Sequence, residues 1–339
     1  MYVLRAIAAT DLDGLYNLAK KAGTGLTTLP AHKPSLEKKI SQSVGSFAGE
    51  DTVEAGRYYF LAMEDTETGE IIGCSAIYAG VGLDQPFYCY RMLHVTQASS
   101  DPVKRVDTKM LQLSNDFNGA SELATLFLSP DHRKPGLGRF LSKGRYLLMA
   151  AHPTRFAEKT IAEIRGWVDA EGHSPFWDAV GRHFFQMDFD EADDINGRGN
   201  QQFINDLMPK FPIYTALLPE EAQNVIGVPH DGAAPAKRLL ETEGFRFSGA
   251  VDIFDAGPEM EADTVNIKTI QNSKTGPLAG IIEGGKGDMS HMVAKCDIQD
   301  FRIVLSHVVE TDSGFWLDEA SAKALRCKVG DIICFAPFV

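Results

Sequence analysis

The chain has 339 residues, 44% hydrophobic and 23% charged, an ordinary globular balance that excludes a disordered or low-complexity scaffold. Single cores stop growing at about 250 to 300 residues, so this length predicts two domains. The formal net charge of −13 argues against broad capture of nucleic acid or of an anionic membrane face, and any anionic ligand must meet a local basic pocket.

The five cysteines, at 74, 89, 296, 327 and 334, are widely spaced and form no CxxC pair. Neither a disulfide framework nor a zinc cage is expected, and a reducing, cytoplasmic location fits best. The N-terminus, Met1-Tyr2-Val3-Leu4-Arg5 followed by Asp11 and Asp13, lacks a basic segment leading into an apolar one. No run approaches the ~18 apolar residues of a membrane span, so a secreted or membrane-spanning protein is not expected.

In chain order, Tyr2 to Ile7 reads as a strand, and Leu12, Leu15, Tyr16, Leu18 and Ala19 form one helical face that ends near Gly23, with Thr10 as a cap. A polar loop from Gly23 to Pro30 leads to a helix over Leu36 to Phe47 with Ser35 as its cap. Arg57 to Met63 and Ile71 to Val81 predict two antiparallel strands, and an irregular insertion over 82–120 contains a strand from Phe87 to Val95. Leu123 to Leu128 is nearly continuously apolar, as a central strand is, and a helix over Arg139 to Ala151 follows, with Gly144 allowing close approach to the sheet. Thr160 to Val168 predicts a strand, Ser174-Pro175 opens a helix carrying Phe176, Trp177, Val180 and Phe184 inward, and Pro235 to Gly244 predicts a helix before a strand from Phe245 to Phe254. Beyond Asp255-Ala256-Gly257-Pro258 the pattern changes to short β runs, Val265 to Ile270 among them, with one helix near Glu319 to Leu325. The predicted division is an α/β domain over 1–255 and a small β-rich domain over 256–339.

The stretch richest in chemistry is Leu126-Phe127-Leu128-Ser129-Pro130-Asp131-His132-Arg133-Lys134-Pro135-Gly136-Leu137-Gly138-Arg139, a buried strand running into a glycine-rich turn that opens a helix. Such a turn binds phosphate, because glycines let the backbone approach the anion and the helix N-terminus adds partial positive charge. Arg133, Lys134, Arg139, Lys143 and Arg145 against Asp131 give this segment a local sum of +4. The P-loop spacing fails because Arg139 follows Gly138, and the dinucleotide pattern GxGxxG fails at Leu141. The remaining pattern, Arg133-x-x-Gly136-x-Gly138 after an apolar strand, resembles the pyrophosphate loop of the GCN5-related N-acyltransferase fold, a mixed α/β sheet flanked by helices that binds coenzyme A.

Further segments extend the resemblance: Ser121-Glu122-Leu123-Ala124-Thr125-Leu126-Phe127-Leu128, Arg165-Gly166, Ser174-Pro175-Phe176-Trp177, Met187-Asp188-Phe189, Leu207-Met208-Pro209-Lys210, Pro212-Ile213-Tyr214-Thr215, Ala222-Gln223-x-Val225-Ile226-Gly227, Ala234-Pro235-Ala236 and Asp252-Ile253-Phe254-Asp255. Together they resemble the arginine N-succinyltransferase family from about residue 3 into the C-terminal β region. The resemblance implies transfer of succinyl from succinyl-CoA, a cosubstrate rather than a permanently bound cofactor, to the α-amino group of L-arginine. It also implies a homo-oligomer or a pairing with a related subunit. Ornithine as acceptor, another acyl-CoA as donor, and a CoA-binding subunit without catalysis of its own stay open.

Direct transfer needs a positioned neutral amine, donors for the developing oxyanion and a proton for the departing thiolate. The resemblance places the proton donor at His230, within Val228-Pro229-His230-Asp231-Gly232. Backbone groups of Leu126 and Leu128 are expected to contact the acyl and pantetheine part, with both side chains in the core. Arg133, Lys134, Gly136, Leu137, Gly138 and Arg139 are expected to hold the pyrophosphate. The other histidines show no HxxxH or HExxH spacing, so no metal is expected. Gly172-His173-Ser174-Pro175-Phe176 fails as a hydrolase elbow at Phe176, and Cys74 reads as core. The loop from Gly23 to Pro30 borders the acceptor in such acyltransferases. The acidic run Asp188, Asp190, Glu191, Asp193, Asp194 offers counter-charge for a guanidinium, although a solvated surface is the simpler reading.

Overall fold

The computed structural model describes residues 1–23, 26, 28–49, 56–189, 191–192, 195, 202–283 and 289–338. The strands are β1 (Tyr2–Ala6), β2 (Tyr58–Asp65), β3 (Glu70–Tyr78), β4 (Cys89–Ser100), β5 (Val103–Ser114), β6 (Ser121–Leu128), β7 (Lys159–Glu163) and β8 (Ile213–Tyr214). They continue with β9 (Arg246–Val251), β10 (Pro258–Asp263), β11 (Lys274–Ile282), β12 (His291–Lys295), β13 (Arg302–Ser306), β14 (Val309–Thr311), β15 (Gly314–Asp318) and β16 (Ile332–Pro337). The three longest helices are α1 (Leu12–Ala22), α2 (Lys33–Ala48) and α3 (Leu137–Ala151).

The chain forms two compact units, one of Met1–Gly80, Ser121–Thr160 and Asp263–Val339, the other of Val81–Ala120 and Ile161–Ala262. The division expected from sequence, at 255/256, does not follow these units. The β-rich C-terminal stretch shares a unit with the first 80 residues, because β13 pairs antiparallel with β1 and so continues the N-terminal sheet.

In the first unit the sheet order is β14-β15-β11-β16-β12-β13-β1-β2-β3-β6, with β11 and β15 parallel and the other assigned pairs antiparallel. Tyr58, Phe60 and Ala62 of β2 and Cys74 and Ala76 of β3 point to one face, as alternation requires. Leu15, Leu18 and Ala19 of α1 and Leu36 and Ile40 of α2 cover that face. Two buried hydroxyls tie α2 to the sheet: Ser46 Oγ accepts the Tyr58 N–H at 3.0 Å and Ser43 Oγ accepts the Phe60 N–H at 2.9 Å. Helix α3 packs against β3 and β6, and a Cβ added at Gly144 would lie 2.2 Å from Leu4, the close approach its sequence position suggests.

In the second unit β10-β9-β4-β5-β8 form an antiparallel sheet. The insertion over 82–120 is thus a regular hairpin, whose strands read poorly because their outer halves are exposed on both faces. Ser174 caps its helix as expected, accepting the Trp177 N–H at 3.2 Å. Phe176, Trp177 and Val180 enter the core, but Phe185 and not Phe184 completes it, because a break at Val180 divides the segment into helices Pro175–Ala179 and Gly181–Phe185.

Other expectations change locally. Thr10 lies inside a 3-10 turn, and Asp11 accepts the Ala8 N–H at 2.7 Å instead. Helix α2 starts before Ser35, at Lys33. Val265 to Ile270 forms a 3-10 turn and a helix, Lys268–Gln271, instead of a strand.

Candidate functional site

After β6 the chain turns through a 3-10 segment, Pro130–His132, into α3. Gly136 occupies the N-cap with φ at +89°, a region that costs other residues roughly 1–2 kcal/mol. The first-turn N–H groups of α3 receive no side-chain cap, so they project forward as a helix N-terminus leaves them. A Cβ added at Gly138 would meet no atom of the chain within 4 Å. Packing therefore does not demand glycine there, whereas close approach of a phosphate to the helix terminus does.

The basic side chains divide by what they touch. Arg133 is exposed and in no ion pair with a described residue. Lys134 Nζ donates to Tyr2 Oη at 2.9 Å, and the Arg139 guanidinium lies 4.8 Å from the centre of the Phe338 ring. Leu137 is buried, with its N–H bonded to Lys134 O at 3.2 Å. Arg145 faces inward: it is 3% exposed and donates to Ser142 O at 3.2 Å and Ser142 Oγ at 3.1 Å, so it adds nothing to the surface charge at the loop. Asp131 is held below the usual carboxylate range by Lys21, whose ammonium donates to it from 3.0 Å.

Strand β6 carries a β-bulge that the sequence reading missed. Cys74 pairs with Phe127 and Ala76 with Ala124, so Thr125 and Leu126 together oppose Ser75. Thr125 has φ at +50°, a strained value for a β-branched residue. The bulge removes backbone groups beside Leu126 from the regular ladder, where the thioester contacts are expected. The side chains of Leu126 and Leu128 are half-buried instead of core.

The bulge also turns Thr125 toward Tyr58. The Tyr58 hydroxyl is fully buried, with Thr125 beside it, and neither hydroxyl has a hydrogen bond of good geometry to a described residue. At the start of the same strand Glu122 is 7% exposed and pairs in register with Tyr78. The Lys39 ammonium of α2 donates to Tyr78 Oη at 3.0 Å and lies 5.4 and 5.7 Å from the Tyr58 and Tyr78 ring centres. Burial raises the Glu122 carboxyl to about 7, against the opposing pull of Lys39. The available signal for this group was an acid opening an otherwise apolar strand.

His230 lies in the second unit, half-buried at the start of a 3-10 turn. Pro229 forms a β-bridge with Gly166, and the His230 N–H donates to Arg165 O at 2.8 Å. Its Nδ1 accepts the Gly232 N–H at 3.0 Å, which places the imidazole hydrogen on Nε2. Asp231 is exposed and makes no bond to the ring.

Comparisons with known proteins agree with one another. Residues 2–269 match the family model described as "Arginine N-succinyltransferase beta subunit". Curated arginine N-succinyltransferases from Escherichia coli O139:H28 and from Shigella flexneri are each 42% identical over 334 residues, covering 98% of this chain and 96% of theirs. The chain belongs to the arginine N-succinyltransferase family. Its fold is that of a solved arginine/ornithine succinyltransferase subunit AI from Pseudomonas aeruginosa, with a TM-score of 0.89, 34% identity, and coverage of 100% of this chain and 99% of that one. Membership makes this a transferase of the N-acyltransferase fold with an acyl-CoA cosubstrate.

Other candidates of the family reading fare unevenly. In the acidic run, Asp188 bonds to Arg182 at 2.5 Å and Glu191 is exposed, while Asp190, Asp193 and Asp194 lie outside the described residues, as do Thr24, Gly25 and Thr27 of the acceptor loop. Cys74 is fully buried and its thiol is pushed well up by burial, as suits a core residue. Among the described residues no three His, Cys, Asp or Glu side chains converge as a metal site, and no helix is long and apolar enough to cross a membrane. A cavity of about 230 Å³ lies between α1 and the β2–β3 turn, lined by Asp11, Asn17, Lys21 and Glu70, and a second of about 470 Å³ lies along the β4–β5 hairpin. Neither includes residues 133–139 or His230.

Proposed function

We propose that this chain transfers succinyl from succinyl-CoA to the α-amino group of L-arginine, giving N2-succinyl-L-arginine and CoA, the first step of arginine breakdown through succinylated intermediates. The observation that carries this reading is family membership, with curated relatives matched over 98% of the chain, joined to an open helix N-terminus behind a bulged strand. Arg133, Lys134 and Arg139 neutralise the pyrophosphate, with Lys134 and Arg139 leaving their aromatic contacts to do so, and the N–H groups at Gly136, Leu137 and Gly138 border it. Backbone groups at Leu126 and Leu128 meet the acyl and pantetheine part. The amine nitrogen bonds to the thioester carbon, the C–S bond breaks, and the departing thiolate takes a proton. His230 supplies that proton from Nε2, the ring position that carries the hydrogen, and is restored by the proton that the attacking nitrogen loses as it becomes the amide.

Ornithine is a second acceptor to consider, because the Pseudomonas aeruginosa relative is described as an arginine/ornithine succinyltransferase subunit. That description also favours work as an oligomer, either of this chain or with a related subunit, and we place the enzyme in the cytoplasm. The test is CoA release by the purified chain with succinyl-CoA or acetyl-CoA as donor and L-arginine or L-ornithine as acceptor. Release is expected with succinyl-CoA and L-arginine. Succinyl-CoA binding without release would favour a subunit that depends on a partner. His230→Ala is expected to lower kcat at least tenfold with CoA binding intact, and near wild-type kcat would remove the histidine from the mechanism.

A further inference from the structure

The reaction leaves one requirement without named residues: something must hold the α-amino acid head of the acceptor, a zwitterion with an ammonium and a carboxylate on one carbon. Resting on the reading above, we propose that Glu122 and Lys39 form that subsite, with Glu122 taking the α-ammonium and Lys39, held by Tyr78, taking the α-carboxylate.

The geometry supports this in four ways. Glu122 is nearly buried and its carboxyl group makes no hydrogen bond to a described residue, an arrangement that disfavours a carboxylate unless a ligand pairs with it. Lys39 lies close enough to bias the Glu122 charge, yet the bond it makes is to the Tyr78 hydroxyl. An ammonium carries three hydrogens, so two stay available for a carboxylate. Two opposite charges set side by side without pairing to each other are complementary to a zwitterion.

Position supports it next. Lys39 and Tyr78 are half-buried while Glu122 is nearly covered, so the ligand enters on the Lys39–Tyr78 side with its ammonium leading. Strand β6 also carries the bulge at Thr125 and Leu126, three residues beyond Glu122 and on the way to the pyrophosphate loop. The ammonium held at Glu122 passes a proton to that carboxylate before attack, and the neutral amine so formed lies along the strand that presents the thioester contacts.

The buried hydroxyls fit the same use. Tyr58 and Thr125 lack well-formed partners within the cluster, and Thr125 is strained into its place. A packed core gains nothing from such an arrangement, whereas a polar ligand does.

The test uses the full chain with succinyl-CoA and two acceptors, L-arginine and L-argininamide, which keeps the amine and the guanidinium but lacks the carboxylate charge. Wild type is expected to favour L-arginine in kcat/KM by roughly tenfold or more, the scale of one charge-assisted hydrogen bond. Lys39→Met is expected to collapse that preference through KM for L-arginine, with L-argininamide little changed. Lys39→Arg is expected to retain most of the preference, and Tyr78→Phe, which frees the ammonium, to retain part of it. Glu122→Gln is expected to lower kcat/KM for both acceptors by tenfold or more with the KM for succinyl-CoA unchanged.

An unchanged preference in Lys39→Met, or no preference in wild type, overturns the carboxylate assignment, and Glu122→Gln within twofold of wild type overturns the ammonium assignment. If Lys39→Met does not fold, Lys39→Gln and Tyr78→Phe read the same ratio. Absence of turnover with L-arginine in wild type that still binds succinyl-CoA removes the reading of this chain as an enzyme that works without a partner, and an acceptor subsite of its own with it.

Discussion

At the scale of single residues, Gly138 and Glu122 show how a position reveals what the folded chain alone does not need. A methyl group at Gly138 meets open space, so Gly138→Ala is expected to leave the melting temperature within a degree or two while raising the KM for succinyl-CoA by about tenfold or more, since under the proposed function the Cβ would stand where the phosphate approaches. A loss of stability equal to the loss of binding would count against the cradle. Glu122 is informative through pH. Its carboxyl is raised to about 7 by burial, and the groups around it are the Lys39 ammonium and the hydroxyls of Tyr78, Tyr58 and Thr125. The folded chain keeps a proton that the unfolded chain has released above about pH 4.3, so this group lowers stability progressively as pH rises toward 7, and the loss is complete above that. Glu122→Gln removes the titration. Its melting temperature relative to wild type should therefore rise between about pH 5 and pH 7 and level off beyond, by an amount equivalent to at most roughly 3 kcal/mol; a flat difference would mean the carboxylate is already ionised when folded.

At the scale of elements, β6 and α3 explain both what was legible and what was not. An apolar run followed by Ser129-Pro130-Asp131 and a glycine pair announced strand, turn and helix, because local sterics and helix-end chemistry decide those features. The bulge at Thr125 left no local mark, since a threonine at φ +50° is imposed by the packing of β3 on β6 and by Tyr58 across the sheet. Arg145 misled for a related reason: charge is read from composition, but the direction of a side chain on a helix depends on what packs there. That burial yields its own prediction. Among the described residues no carboxylate pairs with the Arg145 guanidinium, and burial lowers its pKa against a smaller pull from Tyr146, so the cation bears a desolvation cost that its bonds to Ser142 offset in part. Arg145→Met keeps the length of the side chain and removes the charge, and it is expected to stabilise the chain by about 1 kcal/mol or more in thermal unfolding. A lower melting temperature would show that the bonds to Ser142 outweigh the cost.

At the scale of the whole molecule, composition along the chain and membership of a folded unit come apart. The shift to short β runs after residue 255 is real, but composition cannot tell which sheet those strands join, because pairing between distant strands depends on partners far away in sequence. Here β11 to β16 provide six of the ten strands described in the first unit. Through β13 they cover the edge of β1 in a register that sets Leu4 opposite Ile303. Val3 packs in one cluster with Leu278, Val293, Val304, Leu317, Leu325, Ile333 and Phe335, so the N-terminal strand finds part of its core in the last 80 residues. A chain ending at residue 262 would leave the β1 edge unpaired and Val3 without that cluster, a combination that invites edge-to-edge association. Such a truncation is expected to give insoluble or molten protein, and in the intact chain the amides of β1 and β13 should exchange with solvent at one common slow rate. A soluble truncated chain with native-like near-ultraviolet dichroism, or a C-terminal stretch whose amides exchange independently of β1, would instead restore the separate C-terminal domain that composition suggests.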